Sequence, residues 1–102
     1  MRWSGKMKQK LYDYIVEWDD AKNAANIKKH GVSFETAAYI FNDADRIEFY
    51  DESHSGTEDR YYTIGEVGDV LFVVYTERGK MTRLISARYA TRKEKEAYYG
   101  NR

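Results

Sequence analysis

The chain has 102 residues, of which 42% are hydrophobic and 33% are charged, and its formal net charge at pH 7 is zero. This length and composition predict one globular domain, residues 1–102, and exclude a disordered chain. Because the sequence has no cysteine and only two histidines, it offers no disulfide, no thiolate metal site and no pattern typical of a zinc centre, so we expect neither metal nor cofactor.

The first patterned segment begins at Tyr12. Residues 1–11 carry no hydrophobic periodicity, and we expect them to be a loose extension of the domain. From Tyr12 to Trp18 apolar and polar side chains alternate, which predicts a strand.

Two helices are predicted next, separated by a very short link. Asp19 is placed to cap the first helix, and Gly31 to end it in a left-handed conformation. Ser33 is placed to cap the second helix. An apolar stripe at helical spacing follows: Phe34, Ala37, Ala38 and Phe41.

Strands dominate the second half of the sequence. The segments with strand character are residues 46–51, 60–66, 70–76 and 81–89. The third of these is a continuous apolar and aromatic run, which predicts a central strand covered on both faces. Gly79 and Lys80 predict a two-residue hairpin turn. Such a turn would pair Thr76 with Arg83 and would leave Arg88 on the opposite face of its strand.

The chain is predicted to end in a helix. Thr91 and Glu94 have the spacing of a capping box, so a short helix should start there. Helices grouped apart from hairpin-linked strands indicate an α+β fold. We therefore expect two N-terminal helices and a C-terminal helix packed on an antiparallel sheet of about four strands.

Charge is unevenly distributed along the chain. Residues 78–95 contain seven basic side chains and one acidic side chain, whereas residues 42–69 contain nine acidic and two basic ones. The basic segment is a candidate surface for a polyanion. Scattered cations that only solubilise the surface are the alternative. The longest apolar run, residues 70–75, is too short to span a bilayer, and we see no secretory signal. We therefore expect a cytoplasmic protein without a membrane partner.

Several short motifs occur in an order and spacing that resemble the BrnT family, over roughly residues 15–99. They are Glu17-Trp18-Asp19 with Lys22 and Asn26, Lys29-His30-Gly31-Val32-Ser33-Phe34, Arg60 before Ile64-Gly65, Tyr75-Thr76-Glu77-Arg78, and Ile85-Ser86-Ala87-Arg88 before Ala90-Thr91. The resemblance implies a RelE-like fold and a ribonuclease toxin of a type II toxin–antitoxin system that inhibits translation. It also implies a BrnA-like ribbon-helix-helix antitoxin, whose complex with the toxin binds operator DNA.

Metal-independent RNA cleavage would use the 2′-hydroxyl of the substrate as nucleophile, and it needs an acid, a base and cations for the phosphate. The candidate catalytic residues are Arg78, Arg83, Arg88 and His30. The candidate RNA-binding residues are Lys22, Lys29, Arg60, Lys80 and Arg92. Arginine suits the phosphate because it is always charged and binds two oxygens at once.

Each candidate has a structural alternative. Strand arginines also form weak surface ion pairs. Lys29 and His30 lie in the last turn of the predicted helix, where cations stabilise the helix dipole. Arg60 can pair with Glu58 or Asp59, and His54 lies in a polar loop where histidines are usually only solvated. For the whole chain, the alternative is a non-catalytic binding module that acts within an autorepressing toxin–antitoxin complex.

Overall fold

A computed structural model describes residues 6–11, 14–54, 56 and 58–100, with the backbone alone for residues 6–11. The strands are β1 (Lys6–Leu11), β2 (Tyr14–Asp19), β3 (Ile47–Tyr50), β4 (Arg60–Val67), β5 (Asp69–Arg78) and β6 (Met81–Tyr89). The helices are α1 (Asp20–His30), α2 (Phe34–Ala37) and α3 (Arg92–Gly100), with 3-10 turns at Ala38–Asn42 and Glu52–His54. The fold is α+β, as predicted.

The described strands form one mixed sheet in the order β1-β2-β6-β5-β4-β3. All neighbours are antiparallel except β2 and β6, which run parallel, with Ile15 opposite Met81 and Glu17 opposite Arg83. The expected antiparallel sheet of about four strands is therefore wrong in both strand number and direction. Hydrophobic alternation indicates that a strand exists but does not specify its neighbour.

The N-terminal segment contributes to this sheet. Residues 6–11, expected to be a loose extension, form β1 and pair with β2 along its whole length. Residues 1–5, 12 and 13 lie outside the described part of the chain, and so does the predicted strand start at Tyr12.

The ends of α1 follow the local sequence as predicted. The Asp19 carboxylate accepts hydrogen bonds from the backbone N–H groups of Ala21 and Lys22 at 2.9 and 3.2 Å. Gly31 has a φ of 74°, and its N–H donates to Ile27 O at 2.8 Å. An N-cap carboxylate and a left-handed glycine satisfy backbone groups that the helix leaves unpaired.

The second predicted helix is a single α-helical turn that tightens into a 3-10 turn. Ser33 caps it, because its Oγ accepts from Thr36 N at 3.1 Å. The predicted apolar stripe is buried, with Phe34 fully buried and Phe41 nearly so. The 3-10 turn packs closely on β4 at Gly65, where an added Cβ would lie 2.7 Å from Ile40 Cγ1.

The main core lies between the sheet and these N-terminal helices. Its largest buried side chains are Trp18, Phe34, Ile40, Leu71, Tyr75 and Leu84. A smaller cluster on the opposite face is covered by α3 through Tyr98, which packs with Ile64 and Val70. The Tyr98 hydroxyl donates to Asp43 Oδ2 at 2.6 Å, which ties α3 to the loop before β3. Beside α3, this second face carries a groove.

Asn26 of α1 completes the sheet where β2 ends. The β2–β6 pairing covers only Met81 to Arg83 of β6, so the edge of β6 beyond it has no neighbouring strand there among the described residues. Asn26 Nδ2 donates to Ala87 O at 2.8 Å, and Ala87 N donates to Asn26 Oδ1 at 3.1 Å. The side-chain amide thus pairs with Ala87 as the peptide group of a neighbouring strand would.

The β5–β6 hairpin has the predicted turn and an unpredicted irregularity. Thr76 lies opposite Arg83, and Gly79 has a φ of 61° in the turn. Between the Tyr75–Leu84 and Val74–Ser86 pairs, β6 contains one additional residue, Ile85. Such a bulge reverses the alternation of side chains that follow it. Arg88 therefore lies on the same face as Arg83, and its predicted placement on the opposite face is wrong.

Candidate functional site: a cationic groove

The face of the sheet that α3 partly covers forms a groove of about 710 Å³ beside this helix. Its floor comes from β3 to β6, one wall from α3, and its rim from the 3-10 turn at Glu52–His54. The charged and polar residues that line it are Asp51, Ser53, His54, Arg60, Ser86, Arg88, Lys93 and Glu94.

Stacked rings run across the floor of the groove. Phe49 stacks on Tyr62 with ring centroids 5.0 Å apart and an interplanar angle of 23°. Tyr62 stacks on Phe72 at 4.8 Å and 24°. The guanidinium carbon of Arg88 lies 4.0 Å from the centroid of Phe72. We name this row of four side chains the aromatic row; it ends at a cation on β6 and at Phe49 on the edge strand β3.

Arg88 is held in place by α3. Its Nη1 and Nη2 donate to the two carboxylate oxygens of Glu94 at 2.8 and 3.0 Å. Glu94 is fixed in turn by the predicted capping box, because it accepts from Thr91 N at 2.8 Å while its own N–H donates to Thr91 Oγ1 at 3.2 Å. The hydrogen bonds from Arg88 hold the pKa of the Glu94 carboxyl below its usual value. The guanidinium is thus oriented before any ligand arrives.

A histidine and a carboxylate meet at the rim of the groove. His54 Nδ1 lies 3.0 Å from Asp51 Oδ2 and 3.0 Å from Ser53 Oγ. Desolvation raises the pKa of the Asp51 carboxyl, but hydrogen bonds from Ser53 and His54 outweigh it, and the pKa is below its usual value. Sequence reasoning did not select His54 as catalytic. The available signal was the spacing of Asp51 and His54, three residues apart.

Only some of the predicted site residues line this groove. Arg60 and Arg88 do, on β4 and β6 respectively. Arg83 lies on the same face, because Thr76 of β5 pairs with Arg60 on one side and with Arg83 on the other. Neighbouring strands in a sheet are about 5 Å apart. The Arg83 side chain is 13% exposed and lies 3.7 Å from the Glu17 carboxylate. It therefore forms a nearly buried ion pair beside the groove.

The other predicted residues lie elsewhere. Arg78 is at the hairpin end of β5 and pairs with Glu58 at 3.3 Å. Arg92 is exposed at the start of α3, 3.4 Å from Glu96. Lys22, Lys29 and His30 are on α1, Lys80 is in the hairpin turn, and none of these four lines the groove. Lys93, which sequence reasoning did not select, does line it, because it lies on the same face of α3 as Glu94 and Ala97.

A second ionisable cluster, centred on Arg46, is structural. Arg46 Nη2 donates to the Tyr14 hydroxyl at 2.6 Å, and its Nη1 is hydrogen-bonded to Glu48. Its guanidinium also lies 5.1 Å from the Phe41 ring centroid. Burial lowers the pKa of Arg46, but the hydrogen bond and the negative charge of Glu48 outweigh burial, so the pKa is above its usual value. In the part of the chain that the structure describes, no three histidine or carboxylate residues are grouped to hold a metal ion.

Comparison with known proteins decides the family. The family described as "Ribonuclease toxin, BrnT, of type II toxin-antitoxin system" matches residues 18–94. The chain belongs to the BrnT family. The matched segment of this BrnT-family toxin contains α1, the strands of the groove floor and the Arg88–Glu94 pair.

A solved structure supports the same assignment. The Brucella abortus ribonuclease toxin BrnT, a crystal structure at 1.1 Å resolution, is similar with a TM-score of 0.59 and 26% sequence identity. The match covers 74% of this chain and 94% of that chain. No curated protein matches the sequence. None of the helices described here is long and apolar enough to cross a membrane.

Proposed function

We propose that this BrnT-family toxin cleaves RNA in the groove, without a metal ion, by attack of the substrate's 2′-hydroxyl on the adjacent phosphate. The observation that carries the proposal is that Arg60, Arg88 and Lys93 line the same cavity as the Asp51–His54 pair. Cations and a proton-transfer group around one volume are what a pentacoordinate phosphate needs.

Arg88 is proposed to bind the scissile phosphate. Glu94 fixes its orientation while leaving further N–H groups of the guanidinium for a ligand. An arginine that is already oriented loses little conformational entropy when it binds a phosphate, and it stabilises the developing charge at the moment of reaction. Arg60 and Lys93 would add positive charge on either side. Arg83 would act only indirectly, because its side chain is 13% exposed and does not line the groove.

His54 is proposed to take the 2′-proton. Its Nδ1 is engaged by Asp51 and Ser53, which leaves Nε2 for the substrate. A carboxylate on Nδ1 orients the ring and stabilises the charged imidazolium after proton transfer. The leaving 5′-oxygen needs a proton in return, and Lys93 and Tyr62 are groove residues that carry one. His30, on α1, does not line the groove and has no part in this proposed mechanism.

The biological role is proposed from the family. As a type II toxin, the protein would cleave RNA in the cytoplasm and so inhibit translation. A ribbon-helix-helix antitoxin of the BrnA kind would neutralise it, and operator DNA would be bound only by the complex of the two. We expect expression of the chain alone to arrest growth, and co-expression of such an antitoxin to restore it.

The decisive experiment is cleavage of a defined RNA by purified protein, with and without EDTA. We expect cleavage to survive EDTA, with a 2′,3′-cyclic phosphate on the upstream product. Removing His54 should lower the rate by about 10²–10⁴, and Arg88→Ala by about 10²–10³. Lys93→Ala should also be slower, whereas Lys95→Ala, two residues further along α3, is the matched control.

Several outcomes would contradict the proposal. Loss of cleavage in EDTA would show that the chemistry depends on a metal ion. Full activity of both His54→Ala and Arg88→Ala would remove the groove as the active site. Tight antitoxin binding by a chain that neither cleaves RNA nor arrests growth would instead support the non-catalytic binding module.

A further inference from the structure

We propose that Phe49 is a stacking platform for one unpaired base of the RNA, so that the groove selects single-stranded substrate. This inference rests on the proposed function, because it concerns the same groove. It starts from the aromatic row, whose three rings are already stacked on one another and whose inner end is closed by Arg88.

Among the described strands, none lies beyond the outer end of the aromatic row. β3 is the last strand in the sheet order, so Phe49 has Tyr62 on one side and, in the described part of the chain, no further strand on the other. Phe49 is 41% exposed, although a phenylalanine is usually buried. A planar aromatic group placed there would continue the stack by one step.

A nucleobase is the planar group that the surroundings favour. Every base has a π-face, and proteins hold single-stranded nucleic acid by stacking bases on aromatic side chains beside cations that bind the phosphates. Phe49 lines the same groove as Arg60, Arg88 and Lys93. Arg88 is three strands away from Phe49, which is about 14 Å at the usual strand spacing. A base on Phe49 would therefore belong to a nucleotide close to the phosphate at Arg88 but not to that phosphate itself.

Base-paired RNA would not fit this arrangement. In a duplex each base is stacked between its neighbours in the same strand, so its face is not available to a side chain unless the stack is opened. The platform would accept any base, because stacking does not read hydrogen-bonding edges. The groove would select an unpaired nucleotide and would not distinguish one base from another.

Tyr50 provides a matched control on the same strand. It is 48% exposed, similar to Phe49, but it points to the opposite face of the sheet, where its ring contacts Tyr61. Phe49→Leu and Tyr50→Leu each remove one exposed ring from β3 while leaving an apolar side chain. Phe49→Trp keeps an aromatic face and should retain binding. Thermal melting of each variant checks that the fold is retained.

The test measures binding of a single-stranded oligonucleotide that has 2′-deoxy sugars throughout and therefore cannot be cleaved. We expect Phe49→Leu to weaken its affinity by about 5-fold to about 150-fold, and Tyr50→Leu to leave it unchanged. A series of the same oligonucleotide with one abasic site at successive positions should show one position where the parent loses affinity. The Phe49→Leu variant should bind the oligonucleotide with the abasic site at that position as tightly as it binds the intact oligonucleotide, because the two changes remove the same contact.

The outcomes separate this inference from the proposed function. If the parent cleaves RNA but Phe49→Leu and Tyr50→Leu bind the oligonucleotide equally, the stacking platform is refuted while the nuclease stands. If Phe49→Leu weakens antitoxin binding and not oligonucleotide binding, the ring belongs to a protein interface and the inference is also wrong. If the parent neither binds nor cleaves, the proposed function itself fails.

Discussion

Replacing Asn26 by alanine should cost this protein a large part of its stability. Asn26 is 7% exposed, and its side chain pairs with Ala87 N–H and Ala87 C=O and also donates to Val32 O at 2.9 Å. Alanine would leave these three backbone groups without that partner. A buried polar group that loses its partner costs about 1–3 kcal/mol, so we expect a loss of about 3–6 kcal/mol after partial relief by water. Domains of this kind unfold with a free energy of roughly 5–15 kcal/mol in total.

Urea denaturation followed by circular dichroism measures this change, provided that the m-value is the same for the variant and the parent. Asn26→Asp should lose at least as much, because a carboxylate would face two carbonyl oxygens that Nδ2 now serves. Asn42→Ala is the control, since Asn42 is exposed and should change stability by less than about 0.5 kcal/mol. If Asn26→Ala lost less than about 1 kcal/mol, the amide would not be acting as the neighbour of β6.

Three further changes test other parts of the structure. Gly65→Ala should destabilise by about 1–3 kcal/mol, because its Cβ would lie 2.7 Å from Ile40 Cγ1; Gly56→Ala has open space, and equal melting temperatures of the two would contradict the close packing. Tyr98→Phe removes the hydrogen bond to Asp43 and should lower the free energy of unfolding, measured by denaturant, by about 0.5–3 kcal/mol. An unchanged free energy of unfolding would show that this bond does not stabilise the fold. The lowered pKa of Glu94 means that its pairing with Arg88 stabilises the fold above the usual carboxyl pKa, and that this contribution is lost as the pH falls through the lowered value. Denaturation at pH values from neutral to about 3 should therefore show a shallower acid loss for Glu94→Gln, and an identical loss would argue against the pair.

Features that depend on neighbouring residues could be predicted from the sequence. The Asp19 cap, the left-handed Gly31, the capping box of Thr91 and Glu94, and the two-residue turn at Gly79 are each determined by a few adjacent side chains, and the structure has all of them. The turn also determined the Thr76–Arg83 pairing correctly. Local chemistry was sufficient for these elements.

Features that depend on distant parts of the chain could not be predicted. The parallel partner of β2 is a strand from the other end of the sequence, and hydrophobic alternation does not name partners. The bulge at Ile85 leaves no sequence signal, yet it decides which face Arg88 occupies. The sequence places His54 in a polar loop, and only the fold shows that it lines the same groove as Arg60.

The parallel pairing of β2 with β6 also determines how late in synthesis the sheet can be completed. Contacts between segments so far apart in sequence require a long loop to close, which slows folding. Of the described elements, β6 and α3 are synthesised last, and they carry Arg88, Lys93 and Glu94. A nascent or prematurely terminated chain therefore lacks one wall of the groove and its oriented arginine. Given the proposed cleavage in the groove, we expect such fragments to be inactive.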